Sequence, residues 1–460
     1  MAPLLPPSPP SGSPRLLKSS SGSEWNVVVQ RNVKSSLLLL LAISTVVAFS
    51  ILYSSRSLTV ARTAGEALTQ SPLLAALDLS SRMPEDDDDQ SDEPAEVVSL
   101  TAAASSTDDG PSEAAMQLEE KCDISRGKWV REPNGPVYTN LTCPMLPDFK
   151  NCQKFGKDDG HLYWRFVPER FLDVVRGKRL AFIGDSLARN QIDSLLCLLS
   201  QAEAPRDVYS DAFDKYRTWH FPAHNFTLMV MWTEFYAHAV PVVGADGKPT
   251  SSFDIHLDRL GADWTSRLPG LDYAIISGGN WFFRVNYLWE GGRRIGCLNC
   301  AGNDANLTDF GVAYAVRRVV RAAVEGIARC PGCKTSLITF LRTYSPDHFE
   351  QGSWFDGGYC NRTAPLQERE VSMESIAWEL RRVQREEMRR VRATKRRFGV
   401  LDVTKAMMMR ADGHPDNHFD SRWRRNGSDC LHWCLPGPVD MWNGVLLQRL
   451  AELTPPPAAR

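Results

Sequence analysis

Short apolar runs alternate with amphipathic stretches between residues 179 and 404, and this alternation restricts the possible folds more than any other feature. Five runs have the length and composition of buried strands: 179–184, 226–232, 272–279, 335–344 and 398–404. Apolar residues recur at helical spacing in 187–201, 310–329 and 367–397. Strands that alternate with helices form a mostly parallel sheet covered by helices on both faces. We therefore predict an α/β fold with a doubly wound, mostly parallel sheet.

An uncharged run ahead of this region predicts a membrane anchor. Residues 35–55 are long enough for a helix of about 20 residues, which crosses roughly 30 Å of hydrocarbon. A buried core helix is the alternative, but the Pro- and Ser-rich sequence before it offers no globular core. Residues 56–120 are nearly free of aromatics and rich in Ala, Ser, Thr and acidic residues, which predicts disorder. The predicted organisation is a cytoplasmic tail over 1–34, a transmembrane signal-anchor over 35–55, a luminal stem over 56–120 and a folded domain over 121–460.

Cysteines and glycosylation sequons indicate an oxidising compartment for the folded domain. All 11 cysteines follow residue 120, and an odd number leaves at least one of them unpaired within the chain. Five Asn-x-Ser/Thr sequons also follow the apolar run, at Asn140, Asn225, Asn306, Asn361 and Asn426. This one-sided distribution predicts a single-pass type II topology with a luminal C-terminal portion.

The charge balance argues against nucleic acid as a partner. The chain has 53 Lys and Arg against 55 Asp and Glu, so it lacks the excess of basic residues that binds a phosphate backbone. The stretch 367–397 is rich in arginine, but Glu379, Glu386 and Glu387 are interleaved with the basic residues. We interpret this stretch as the solvated face of a helix.

Two short motifs follow predicted strands and carry the groups needed for nucleophilic catalysis. Gly184-Asp185-Ser186 ends a strand and opens a helix, where a bound oxyanion would meet the positive end of the helix. Asp429 stands three residues before His432, a spacing that lets a carboxylate orient an imidazole. A helix cap would explain the serine alone. Taken together and in this order, the two motifs resemble the GDSL/SGNH esterase superfamily.

Longer segments make the resemblance more specific. GDSLARNQ, RTYSPDHFEQGSWFDGGYC and DCLHWCLPGPVDMWN are similar to motifs of the plant trichome-birefringence-like family, and the similarity runs from about Lys121 to Asn443. Members of this family are Golgi polysaccharide O-acetyltransferases. The SPxHFExGxW form resembles the xyloglucan or mannan branch more than the xylan branch. The resemblance implies a fold of SGNH-hydrolase type, a luminal catalytic domain over 121–460 and a hemicellulose acceptor.

The resemblance also implies a mechanism. Ser186 matches the nucleophile, His432 the general base and Asp429 the acid that orients the base. The serine would accept an acetyl group and pass it to a sugar hydroxyl. This chemistry needs no metal and no bound cofactor, only an acetyl donor, which could be acetyl-CoA or another carrier brought by a delivery protein. Three other functions stay open: a luminal carbohydrate acetyl-esterase, a non-catalytic wall-polysaccharide binding protein and, if the predicted anchor is wrong, a cytosolic zinc protein.

Four further residues are implied to bind the oxyanion or the substrate. Arg189 and Asn190 follow the nucleophile within its signature. Gly279 and Asn280 occupy the place where SGNH esterases carry a glycine and an asparagine that bind the oxyanion, although Asn280 could equally be a turn residue. Two more side chains could bind substrate or serve only the fold: Arg342 and His348.

Two Cys-x-x-Cys pairs, at 297–300 and 330–333, allow two interpretations. Four such cysteines can form a structural zinc site. In an oxidising lumen, disulfides are the better interpretation, and we favour them.

One segment departs from the family pattern. The family usually carries a Cys-Asp-Leu-Pro segment ahead of the strand that precedes Gly184-Asp185-Ser186, and this chain lacks it. The packing before the nucleophile is therefore open to question. The resemblance lets Cys143 pair with Cys197 and leaves Cys122 as the unpaired cysteine.

The topology makes the first prediction. In sealed Golgi vesicles, added protease should remove only the short N-terminal tail, and the domain over 121–460 should be glycosylated. Immunoblotting with and without detergent measures this. Digestion of the C-terminal domain in intact vesicles would contradict the predicted orientation.

Overall fold

The structure is a computed structural model that describes residues 127–157, 162–300, 302–304, 306–354, 356–391, 397–420 and 427–453. The predicted tail, anchor and stem lie outside these ranges, as does Cys122. Within the described ranges, no helix combines the length and the apolar character needed to span a membrane.

The described residues form eleven strands and seven α-helices. The strands are β1 (Arg179–Gly184), β2 (Arg206–Ser210), β3 (Tyr216–Phe221), β4 (Phe226–Trp232), β5 (Ala237–Val243), β6 (Pro249–Leu260), β7 (Tyr273–Ser277), β8 (Asn286–Glu290), β9 (Arg293–Leu298), β10 (Ile338–Arg342) and β11 (Arg397–Leu401). The helices are α1 (Pro168–Val174), α2 (Ser186–Leu199), α3 (Ala262–Thr265), α4 (Gly311–Arg329), α5 (Ile376–Val391), α6 (Thr404–Met408) and α7 (Asp440–Leu453).

The main sheet confirms the predicted mixed α/β fold with a parallel-rich sheet. Its seven strands lie in the order β11-β10-β7-β1-β4-β3-β2. The first five strands of this order are parallel to one another, while β3 and β2 add an antiparallel edge. Because β1 pairs with β4 on one side and with β7 on the other, a crevice is expected at its carboxyl end.

Helices pack on both faces of this sheet. Leu180 and Phe182 of β1 belong to one buried cluster, which includes residues of α1, α2 and α7. Ala181 and Ile183 of the same strand belong to a second cluster, which includes residues of α4 and α5. Alternate side chains of one strand thus anchor helices on opposite faces, as the pleat of a strand requires.

A second sheet, in the order β5-β6-β8-β9, was not predicted from the sequence. Its strands are only half-buried: in β6, Ile255 and Leu257 are buried while His256 between them is partly exposed. Such strands alternate apolar and polar residues, so a search for continuous apolar runs passes over them. The helix predicted over 367–397 is also shorter, since α5 begins at Ile376.

The region ahead of the nucleophile is well packed, although the chain lacks the Cys-Asp-Leu-Pro segment that the family usually carries. Helix α1 buries Phe171 and Leu172 completely, and Val175 directly after it is equally buried. The Phe171 ring contacts the ring of Phe226 on β4, with centroids 6.2 Å apart.

Five disulfides connect the described cysteines. They join Cys143 to Cys197, Cys152 to Cys434, Cys297 to Cys300, Cys330 to Cys333 and Cys360 to Cys430. The pairing implied for Cys143 is confirmed. The zinc interpretation is wrong, because each Cys-x-x-Cys pair closes on itself and offers no thiolate to a metal.

Four of the five sequon asparagines are exposed in the structure, namely Asn140, Asn225, Asn306 and Asn361. Asn426 lies outside the described residues. Glycosylation at all five stays a prediction.

The disulfides differ in the loops they close, and this generates a second prediction. Cys152 and Cys434 are 282 residues apart, whereas Cys330 and Cys333 are 3 apart. In the chain-entropy model a longer loop gives more stabilisation. Replacing Cys152 and Cys434 together by Ala should lower the free energy of unfolding by about 2–5 kcal/mol.

The matched control replaces Cys330 and Cys333 by Ala and should cost clearly less. Urea denaturation of the glycosylated luminal domain measures both losses. Equal losses for the two double variants would contradict the prediction.

Candidate active site

Ser186 lies on a tight turn between β1 and α2. Gly184 ends the strand, where a Cβ atom would lie only 1.8 Å from the backbone oxygen of Ser277 on β7, so no side chain fits. Asp185 caps the helix by accepting a hydrogen bond from the Leu187 N–H at 3.0 Å. The turn places Ser186 as the first residue of the helix, where the helix dipole favours negative charge.

His432 and Asp429 form the hydrogen-bonded pair expected of a base and its orienting acid. The Nδ1 atom of His432 lies 2.9 Å from Oδ2 and 3.2 Å from Oδ1 of Asp429. Since a carboxylate only accepts hydrogen bonds, Nδ1 carries the proton and Nε2 is left as the base. Burial alone would raise the pKa of Asp429, but the charge of His432 and hydrogen bonds from His432 and Leu431 outweigh it and hold this pKa well below its usual range. Asp429 therefore stays ionised and stabilises the protonated form of the base.

The loop that carries His432 is fixed on both sides. Cys430 and Cys434 both form disulfides, so His432 lies between two covalent links to other parts of the chain. Asn190 on α2 accepts a hydrogen bond from the Trp433 N–H at 2.8 Å and donates to the Trp433 oxygen at 3.3 Å. The nucleophile helix thus holds the residue next to the base.

Ser186, Asp429 and His432 line one cavity of about 540 Å³, together with Asn280. The structure therefore brings together the three predicted catalytic residues and one of the four predicted oxyanion residues. Aromatic side chains supply much of the remaining lining: Phe149, Trp232, Trp281, Phe283, Phe349, Trp354 and Phe419.

Two predicted oxyanion residues have other roles in the structure. Arg189 forms an ion pair with Asp214 at 2.8 Å, and Asn190 is bound to Trp433. Neither side chain is among the described residues that line the cavity. Sequence proximity to Ser186 was misleading because successive residues of a helix point in different directions. Asn190 is a positioning residue for the catalytic loop.

Asn280 lines the cavity, and Gly279 directly precedes it at the start of the turn after β7. Gly279 has φ +144° and a Cβ there would lie 2.9 Å from the Tyr344 ring, so glycine is needed for conformation and for space. The Oδ1 atom of Asn280 accepts a hydrogen bond from the Tyr344 hydroxyl at 2.9 Å. This contact orients the side chain and presents its NH₂ group as a donor.

Arg342 and His348 have structural environments. Arg342 is buried, which lowers its pKa to about 10, and its guanidinium lies 4.3 Å from the Trp442 ring centroid. A ring nitrogen of His348 lies 2.7 Å from one of His414, and its Nε2 lies 3.1 Å from the oxygen of Met408. The described lining of the cavity includes neither residue.

Sequence reasoning missed the aromatic lining and one cation, Arg284. Trp232 ends β4, Trp281 lies just after β7, and Trp354 follows β10. Proximity to the carboxyl ends of parallel strands was the available signal.

Comparison with known proteins agrees with this geometry. Residues 164–449 match the model of the PC-Esterase family, described as a GDSL/SGNH-like acyl-esterase family found in Pmr5 and Cas1p. Residues 120–170 match the PMR5 N-terminal domain.

Several curated plant proteins are similar over most of their length. Xyloglucan O-acetyltransferase 4 of Populus trichocarpa is 48% identical over 73% of this chain and 82% of its own. Xyloglucan O-acetyltransferase 3 of the same species is 45% identical over 72% of this chain and 86% of its own. Xyloglucan O-acetyltransferase 2 of Arabidopsis thaliana is 40% identical over 73% of this chain and 84% of its own. With its Ser-His-Asp site and these matches, the chain belongs to the PC-Esterase family of GDSL/SGNH-like acyl-esterases.

Proposed function

We propose that this protein is a polysaccharide O-acetyltransferase that acetylates a hydroxyl of xyloglucan through an acetyl-Ser186 intermediate. The observation that carries the proposal is the convergence of Ser186, His432 and Asp429 on one cavity. The similarity to three xyloglucan O-acetyltransferases supports the acceptor class.

The geometry supports a two-step acyl transfer. His432 Nε2 removes the proton of Ser186 as the serine oxygen attacks the acetyl carbonyl, and the donor leaves with that proton. Asn280 and the start of α2 stabilise the oxyanion of the tetrahedral intermediate. In the second step, His432 deprotonates a sugar hydroxyl, which takes the acetyl group and releases the serine.

Exposed aromatics at the cavity support a carbohydrate acceptor. Trp354 is 56% exposed and Phe283 is 41% exposed, although both are large apolar side chains. Exposed aromatic faces of this kind mark binding sites, and an aromatic ring offers a flat apolar surface to the C–H face of a sugar. A bound glycan would also shield the acetyl-serine from water.

Localisation and donor complete the proposal. A type II anchor over 35–55 would hold the domain in the Golgi lumen, where disulfides form and polysaccharides are assembled. The acetyl donor is acetyl-CoA or another carrier, and a membrane delivery protein is a candidate partner.

The triad makes a third prediction. Ser186→Ala should abolish acetyl transfer to xyloglucan oligosaccharide, because no other group replaces the nucleophile. His432→Ala and Asp429→Asn should lower kcat by orders of magnitude, up to about 10⁴-fold for loss of the orienting acid. Transfer of labelled acetyl to the sugar measures the effect.

The control is Ser210→Ala on exposed β2, which should retain wild-type activity. Circular dichroism checks that every variant is folded. Full transfer by Ser186→Ala would refute the covalent mechanism. Label released only as free acetate, at any acceptor concentration, would identify an esterase instead.

A further inference from the structure

We propose that Arg284 binds an anionic oxygen group, a phosphate or a carboxylate, of a substrate in the Ser186 cavity. This inference rests on the proposed function and deepens it. Arg284 follows the short turn Asn280–Phe283 after β7 and lines the same cavity as Ser186 and His432.

The guanidinium of Arg284 is held between two aromatic residues. Its central carbon lies 4.1 Å from the ring centroid of Trp281 and 5.2 Å from that of Trp354. The backbone is fixed as well, because the Arg284 oxygen accepts hydrogen bonds from the side-chain amides of Asn286 at 3.1 Å and Asn299 at 3.3 Å. Ring contacts of this kind leave the edge of the guanidinium, where its N–H donors lie, for a ligand.

This cation has no counter-ion among the described residues. Within the described ranges the Arg284 guanidinium makes no ion pair and no hydrogen bond, and it lies over the two aromatic rings. Two carboxylates line the same cavity. Asp429 is hydrogen-bonded to His432. Burial raises the pKa of Asp347, and Arg284 is not among the groups that lower it, so Asp347 does not act as its counter-ion. Burial lowers the pKa of Arg284 and no neighbouring charge opposes that effect. A half-buried cation that no acidic side chain neutralises is a favourable position for an anionic ligand.

The chemistry of the guanidinium selects the class of ligand. Its planar fork of donors matches phosphate and carboxylate oxygens in a bidentate manner. A neutral sugar hydroxyl would accept a hydrogen bond but would leave the charge uncompensated. Two substrates could supply the anion: the phosphates of an acetyl donor such as acetyl-CoA, or a uronic acid residue on the acceptor.

Paired substrates distinguish these sources. Donors are acetyl-CoA and a neutral aryl acetate, and acceptors are a neutral xyloglucan oligosaccharide and one that carries a uronic acid. Arg284→Gln should lower kcat/KM for the anionic substrate of one pair about 10- to 100-fold more than for the neutral substrate of that pair. The size of the loss is that expected when a hydrogen bond to a charged group is removed. A change in the donor ratio assigns the site to phosphate, and a change in the acceptor ratio assigns it to carboxylate. Arg284→Lys should recover part of the loss, because it keeps the charge but not the fork.

Arg294→Gln is the matched control. Arg294 also lies against two aromatic rings, Tyr287 at 4.2 Å and Trp289 at 5.5 Å, but it is 3.6 Å from Asp254 and outside the described cavity lining. Both ratios should stay at wild-type values in this variant.

Unchanged ratios in folded Arg284→Gln would overturn the proposal. Failure of the proposed function has a different signature, since the wild-type protein would then transfer acetyl from neither donor to any sugar.

Discussion

The backbones of β1 and β7 touch where Gly184 pairs with Ser277, and the position of the nucleophile depends on this contact. Any side chain at Gly184 would push the two strands apart. Ser186 follows the end of β1, and Gly279 and Asn280 follow the end of β7. One strand pairing therefore sets both the nucleophile and the proposed oxyanion donor.

The base reaches the same place by a different physical route. His432 lies on an irregular segment, which no sheet register could position. Two kinds of contact hold the segment instead: the disulfides of Cys430 and Cys434, and the hydrogen bonds between Asn190 and Trp433. This division explains why the cysteines lie close to the base: a loop without regular hydrogen bonding needs cross-links to keep a catalytic side chain in place.

Sequence reasoning succeeded where one physical signal was sufficient. Continuous apolar runs predicted the parallel strands. Motif spacing predicted that Asp429 pairs with His432, which the structure shows, and Ser186 lines the same cavity. It failed where the signal depends on three-dimensional neighbours. Arg189 is adjacent to the nucleophile in sequence, yet it pairs with Asp214 on the surface. Trp281 and Trp354 are far apart in sequence, yet both rings lie against the Arg284 guanidinium. The half-buried strands of the second sheet lack a continuous apolar run because one face contacts solvent.

A transferase differs from an esterase in which nucleophile attacks the acetyl-serine: a sugar hydroxyl or water. An oriented acceptor hydroxyl can reach an effective molarity of about 10⁵ M or more, which allows it to compete with water. The aromatic cavity offers the surface on which a glycan would be oriented.

The central claim is that the acetyl group passes through Ser186, and mass spectrometry of the acid-quenched enzyme tests it most directly. After incubation with donor alone, the peptide that contains Ser186 should carry one acetyl group, and brief addition of xyloglucan oligosaccharide should remove it. A peptide that stays unmodified while acetylated sugar accumulates would contradict the account.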